Sequence, residues 1–131
     1  MIYQAETHGV RVTASPKFMD SESTPDQSRY FWAYTIEIEN LSPRTMQLMA
    51  RHWVITDGRG EVHEVRGDGV IGQQPVLQPG ERFSYTSGCP LMTPDGSMRG
   101  VYAMLGEDGA QFDVEVPLFP LDSPYVKKVL H

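Results

Sequence analysis

Gly67-Asp68-Gly69-Val70-Ile71-Gly72 spells G-x-G-x-x-G. In dinucleotide-binding folds such glycines let the backbone approach a pyrophosphate at the N-terminus of a helix. That chemistry needs a strand before the motif and a helix after it. A strand can precede it here, but Gln73-Gln74-Pro75 follows and no helical period appears. The segment is therefore expected as a loop whose glycines relieve backbone geometry. Without a helix, a nest of backbone amides can still hold an anion. Gly67, Gly69 and Gly72 would shape that nest, Arg66 would be the neighbouring cation, and a polyphosphate or dinucleoside polyphosphate would be the ligand class.

A second constellation is His52, Asp57, His63 and Glu64, placed around an expected hairpin. Imidazole and carboxylate suit a transition metal, but this spacing matches no compact ligand signature. His52 and Trp53 must also point to opposite faces of any strand. No metal ligand or cofactor is assigned on this basis. Cys89, in Ser87-Gly88-Cys89-Pro90, has no base or cation beside it in sequence that would make a thiolate. It reads as a small buried residue at a strand end. No nucleophile elbow G-x-S-x-G occurs. Glu37 and Glu39 share one strand face and read as solvated surface. No catalytic residue is assigned, and the chain is expected not to be an enzyme.

These residues must be carried by short strands. Gly and Pro, 12 and 10 in number, are spread as punctuation between short apolar runs. His8–Ala14 alternates, and Ser15–Ser28 is polar with Pro16 and Pro25, so it is expected as a mobile loop. Arg29–Asn40 is the clearest half-buried strand: Tyr30, Trp32, Tyr34, Ile36 and Ile38 share a face. That aromatic stripe is expected in the core, with a docking surface as the alternative.

Thr45–Thr56 changes parity between Leu48 and Trp53, which a bulge near Ala50–Arg51 would reconcile; a helix is the alternative. Asp57–Gly60 turns into Glu61–Arg66, and Leu77–Glu81 turns into Arg82–Ser87. Pro94–Gly96 leads to Arg99–Leu105. Gly106–Gly109 closes a hairpin onto Phe112, Val114 and Val116. Residues 120–131 are expected as a tail. Met46, Met49, Met92, Met98 and Met104 are core fillers or, together, an adaptable surface. Seven to eight antiparallel strands at this spacing predict an all-β sandwich in one domain, 1–131, and disfavour a doubly wound α/β sheet.

The formal net charge is −6, with only 11 Lys and Arg, so no nucleic-acid partner is expected. One cysteine excludes an internal disulfide and fits a reducing compartment. Met1–His8 has no signal-peptide pattern and no stretch is apolar enough for a membrane helix. A cytoplasmic protein with no membrane partner is expected.

Several blocks in order resemble the bacterial ApaG family: Arg51-His-Trp-Val-Ile-Thr-Asp-Gly58, Glu64-Val-Arg-Gly-Asp-Gly-Val-Ile-Gly72, Gln74-Pro-Val-Leu77, Pro79-Gly-Glu81, Tyr85-Thr-Ser-Gly-Cys-Pro-Leu91 and Phe112-Asp-Val-Glu-Val-Pro117. The resemblance spans Tyr30 to Phe119. It implies an immunoglobulin-like or fibronectin type III-like sandwich. It also implies a domain reused in eukaryotic proteins as an interaction module, including an F-box protein and a polymerase-interacting protein. In bacteria it implies links to cobalt resistance and magnesium efflux, and to the gene neighbourhood of a diadenosine tetraphosphate hydrolase. The expected function is a non-enzymatic protein-binding module with an unidentified protein partner. A nucleotide-polyphosphate sensor at Gly67–Gly72 is the alternative, and a homodimer is left open.

Overall fold

The computed structural model of the chain describes residues 1–126. The strands are β1 (Tyr3–Thr7), β2 (Val10–Phe18), β3 (Tyr30–Asn40), β4 (Met46–Asp57), β5 (Val62–Asp68), β6 (Val76–Leu77), β7 (Arg82–Leu91), β8 (Gly96–Gly106) and β9 (Gln111–Leu121). They form two antiparallel sheets, one ordered β1-β2-β3-β7 and the other β5-β4-β8-β9 with β6 paired to β4. This is the β-sandwich expected from the alternation. All seven strands read from the sequence are present, and β1 and β6 are additional.

β3 follows the period of two. Trp32, Tyr34, Ile36, Ile38 and Asn40 are buried, and the intervening residues are not. Burying an apolar side chain of this size contributes roughly 1.5–3 kcal/mol, so the inward set fixes the register. Outward Glu37 and Glu39 meet Arg82 of β7 at 3.5 and 2.9 Å. The parity change in β4 is met by an irregularity in the β4–β8 ladder between Leu48 and Ala50. The unpaired residue, Met49, lies just before the expected position. It allows Leu48 and Trp53, whose positions differ in parity, both to be buried. Trp53 stacks edge-on against Tyr34 at 5.4 Å and Phe119 at 6.1 Å. Gly100 of β8 makes room for it, since a Cβ there would lie 2.9 Å from the indole.

Two expectations are corrected. Ser15–Phe18 is not loop but the end of β2, paired with Trp32–Thr35 of β3. β1 pairs β2 only as far as Ala14, so Pro16 sits where that edge is free and its missing N–H breaks no ladder with β1. Asp20–Glu22 and Pro25–Gln27 are short 3₁₀ turns. Pro120 and Leu121 are likewise not tail: they pair with Ser97 and Gly96. The remainder of the expected tail beyond Val126 lies outside the described residues.

Asn40 is fully buried and ties three segments together. Its Nδ2 donates to the carbonyls of Arg44 and Leu77 at 2.7 and 3.0 Å, and its Oδ1 accepts from the amide and hydroxyl of Ser42. Buried Tyr85 and Tyr102, one from each sheet, join hydroxyl to hydroxyl. Burial raises the pKa of both phenols, so they stay neutral deep into the alkaline range.

Candidate functional site

The two long sides of the sandwich differ. On one, β9 packs against β1 and β2, and the amide of Glu115 donates to the Thr7 hydroxyl at 3.3 Å. On the other, edge strands β7 and β5 face each other across an opening. β5 is exposed at every residue except Gly67, with Val62 58% and Val65 41% accessible. A strand whose one free edge carries uncovered valines is a template for pairing. At one end of this side lies a groove of about 550 Å³. Tyr30, Leu91 and Met92 line one wall, and Asp57, Glu61 and His63 line the other. Met92 is 71% exposed, so the groove has an apolar lip. The β4–β5 hairpin is held over the groove by Thr93, whose hydroxyl accepts from the Gly58 amide at 2.8 Å and donates to the Asp95 carbonyl at 2.8 Å.

The glycine motif lies further along the same edge. Gly67 and Asp68 finish β5, and Val70-Ile71-Gly72-Gln73 is a tight turn rather than the start of a helix. Ile71 and Gly72 at its centre have φ of +43° and +77°, as a type I′ turn requires. The Gly69 amide donates to the Met49 carbonyl at 2.8 Å. Val70 and Gln73 exchange bonds of 2.8 and 2.9 Å. Val70 is fully buried and anchors the turn to the core. A Cβ on Gly69 would strike the Gln73 carbonyl oxygen. Gly67 is open on one side for Arg51, whose guanidinium would lie 2.8 Å from an added Cβ. Arg51 donates to the carbonyls of Asp68 and Gly69 at 2.9 and 3.0 Å. Arg66 points outward, with its side chain 73% exposed, and meets Glu64 at 3.7 Å. The turn thus brings Gly67, Gly69 and Gly72 together. The cation against its backbone is Arg51, which the motif alone does not reveal.

The four residues weighed as metal ligands fall into two pairs. His52 faces outward on β4 and bonds Glu64 at 2.8 Å, and this hydrogen bond holds the Glu64 carboxyl below its ordinary pKa. His63 and Asp57 lie on the opposite face, 3.9 Å apart. Their third neighbour is Glu61, whose carbonyl accepts from the Asp57 amide at 2.9 Å across the hairpin. Proximity in sequence selects Glu64, whereas cross-strand register selects Glu61. Cys89 is buried, and burial pushes its thiol up to about 11, so no thiolate forms near neutrality. Of the aromatic stripe, Trp32 and Tyr34 are core and Tyr30 reaches the groove. Met46, Met98 and Met104 are buried, and Met92 is on the surface.

A sequence profile of the ApaG domain matches residues 20–106. The chain belongs to the ApaG family. It is 57% identical over 130 residues to Protein ApaG of Methylobacterium sp. strain 4-46, covering 99% of this chain and 100% of that one. The same identity and coverage hold for Protein ApaG of Methylorubrum populi. A crystal structure of a Bordetella pertussis protein described as ApaA superposes with a TM-score of 0.86 at 49% identity, covering 89% of this chain and 95% of that one. ApaG family membership accounts for the motif blocks from Arg51 to Leu91, most of which lie in the hairpin, the glycine turn and the groove-lining end of β7.

Proposed function

We propose that this ApaG-family chain is a non-enzymatic binding module of the cytoplasm that captures an extended segment of a partner protein along its open side. The supporting observation is β5: seven residues paired along one edge only, exposed almost throughout, and bordered by an apolar-lipped groove at the end of β7. An added strand would gain main-chain hydrogen bonds from the edge. A bulky side chain of the guest would sit against Tyr30, Leu91 and Met92. No catalytic step is assigned: His52 is tied to Glu64 and Cys89 is buried. No helix of the described residues is long and apolar enough to cross a membrane.

The test is selection of extended peptides from a random library against the protein, followed by amide chemical-shift mapping of the selected peptides. Shifts centred on Val62–Asp68 and on Tyr30, Leu91 and Met92, lost in a Val65→Asp, Met92→Asp variant, are expected. Shifts elsewhere, or binding indifferent to both substitutions, would refute the reading.

A further inference from the structure

We propose that β5 pairs antiparallel with β5 of a second copy of this chain, joining two sandwiches through one continuous sheet. This pairing rests on the reading of β5 as an open edge, and it names the occupant of that edge when no guest segment is bound. The direction of the backbone groups comes first. The Asp57 amide donates to the Glu61 carbonyl at 2.9 Å, and the Gly69 amide donates to the Met49 carbonyl at 2.8 Å. These two bonds bracket the β4–β5 ladder, which keeps one register from Thr56–Val62 to Ala50–Asp68. Opposed residues of an antiparallel pair alternate between bonded and non-bonded. His63, Val65 and Gly67 are therefore bonded to β4, and Val62, Glu64, Arg66 and Asp68 turn their backbone groups to the free edge. The Asp68 carbonyl accepts from the Arg51 guanidinium. The N–H and C=O groups of Val62, Glu64 and Arg66, and the Asp68 amide, meet no backbone partner among the described residues.

Charge then selects the occupant and its register. Glu64 and Arg66 share the outer face of β5, 3.7 Å apart, with both side chains more than half exposed. Val65 between them lies on the face of Trp53, opposite it on β4. When Val65 sits on the two-fold axis, Glu64 faces the partner's Arg66, and Arg66 faces the partner's Glu64. Val62 faces the partner's Asp68, so all four outward residues find an outward residue opposite. Val65 meets the partner's Val65 on the inner face. Opposite charges directly across an antiparallel pair stabilise it, and like charges destabilise it. A slide of two residues one way sets Glu64 against the partner's Glu64, and the other way sets Arg66 against the partner's Arg66. Either slide also leaves one outward residue without a strand residue opposite. A slide of one residue sets outward groups against inward ones. The sequence Glu-Val-Arg at the middle of the edge is thus complementary to itself when reversed, as a two-fold contact requires. Such a contact consumes both free edges, so assembly stops at two copies and the uncovered valines no longer template open-ended pairing.

The experiment is sedimentation equilibrium of the full chain at concentrations up to millimolar. Two seven-residue strands make a small interface, so a dimer that dissociates on dilution is expected. Glu64→Arg and Arg66→Glu alter exposed side chains and should fold normally, as far-ultraviolet circular dichroism would check. Each turns two attractive cross-strand pairs into repulsive ones and is expected to weaken the dimer about tenfold. An equimolar mixture of the two variants should restore it, because each altered position then faces its complement. A monomer at every concentration, a dimer that both variants retain, or a loss that mixing does not rescue would overturn the pairing. The outcome is separable from strand capture. A chain that stays monomeric yet selects extended peptides on β5 overturns the dimer alone, and a rescued dimer in a chain that selects no peptide refutes capture alone.

Discussion

Gly69→Ala is expected to destabilise the protein far more than Gly72→Ala, three positions along the same turn. Both glycines are left-handed, with φ of +61° and +77°. An alanine there costs about 1–2 kcal/mol, offset by about 0.4–1 kcal/mol from a less flexible unfolded chain, for a net of about 1 kcal/mol. At Gly72 the story ends there, because an added Cβ meets nothing within 4 Å. At Gly69 the Cβ runs into the Gln73 carbonyl. Gln73 must retreat, which loosens the two bonds it exchanges with Val70. At about 1 kcal/mol per bond, the total for Gly69→Ala reaches about 3 kcal/mol, some 2 kcal/mol beyond Gly72→Ala. Urea unfolding followed by fluorescence of buried Trp32 and Trp53 measures both. Equal losses, or a greater loss at Gly72, would refute the assigned turn geometry. Gly72→Ala, which should stay folded, is then the variant in which to ask whether a nucleotide polyphosphate uses this turn.

Asn40→Ala removes four hydrogen bonds and strands the Leu77 carbonyl in the core. A loss of about 3 kcal/mol is expected in the same assay, and a loss below about 1 kcal/mol would mean that water replaces the amide. Tyr85→Phe and Tyr102→Phe should each cost about 1–3 kcal/mol by stranding the opposite hydroxyl, while the double variant should cost less than the sum, as a double-mutant cycle would show. Stability should also fall at alkaline pH. Cys89 rises from an ordinary value of 9.0 to about 11 in the fold, so the unfolded chain loses this proton first. Its contribution is complete below pH 9 and lost between 9 and 11, amounting to roughly 2–3 kcal/mol. The two tyrosines add to the loss above their ordinary value of 10.0. Urea midpoints across this range should fall less steeply in Cys89→Ala. An identical pH slope in both proteins would remove the thiol from the account.

What could be read from the sequence was whatever had a buried face. β3 was plain because its inward residues are large and apolar while Thr35, Glu37 and Glu39 are not. The β4 irregularity was readable from the conflict between Leu48 and Trp53. β1 was hidden because Tyr-Gln-Ala-Glu-Thr has only Tyr3 and Ala5 to mark its inner side. β7 runs on to Leu91 where the reading stopped at Ser87, since Gly88 and Pro90 look like breakers. Both are tolerated because β7 is an edge strand, and the ring of Phe31 occupies the space above Gly88. In the candidate site, the glycine turn could be read as a loop, but Arg51 could not be placed against it. Glu61 was overlooked because pairing across a hairpin is a fact of register, not of sequence distance.

The pairings that complete the sheets join distant parts of the chain: Trp32 with Cys89, and Trp53 with Gly100. Only the β1–β2, β2–β3, β4–β5 and β8–β9 contacts are between consecutive strands. Sandwiches dominated by distant pairings fold in roughly milliseconds to seconds, far slower than helical bundles. On the ribosome the consequence is sharper. Strands β1 to β3 emerge first, and Trp53 of β4 can meet Tyr34 midway, but Phe119, which also packs on Tyr34, and the Asp122 carbonyl that accepts from the Trp32 indole come last. Part of this inward face therefore stays uncovered through most of the chain's own synthesis, an exposure that the finished fold no longer shows.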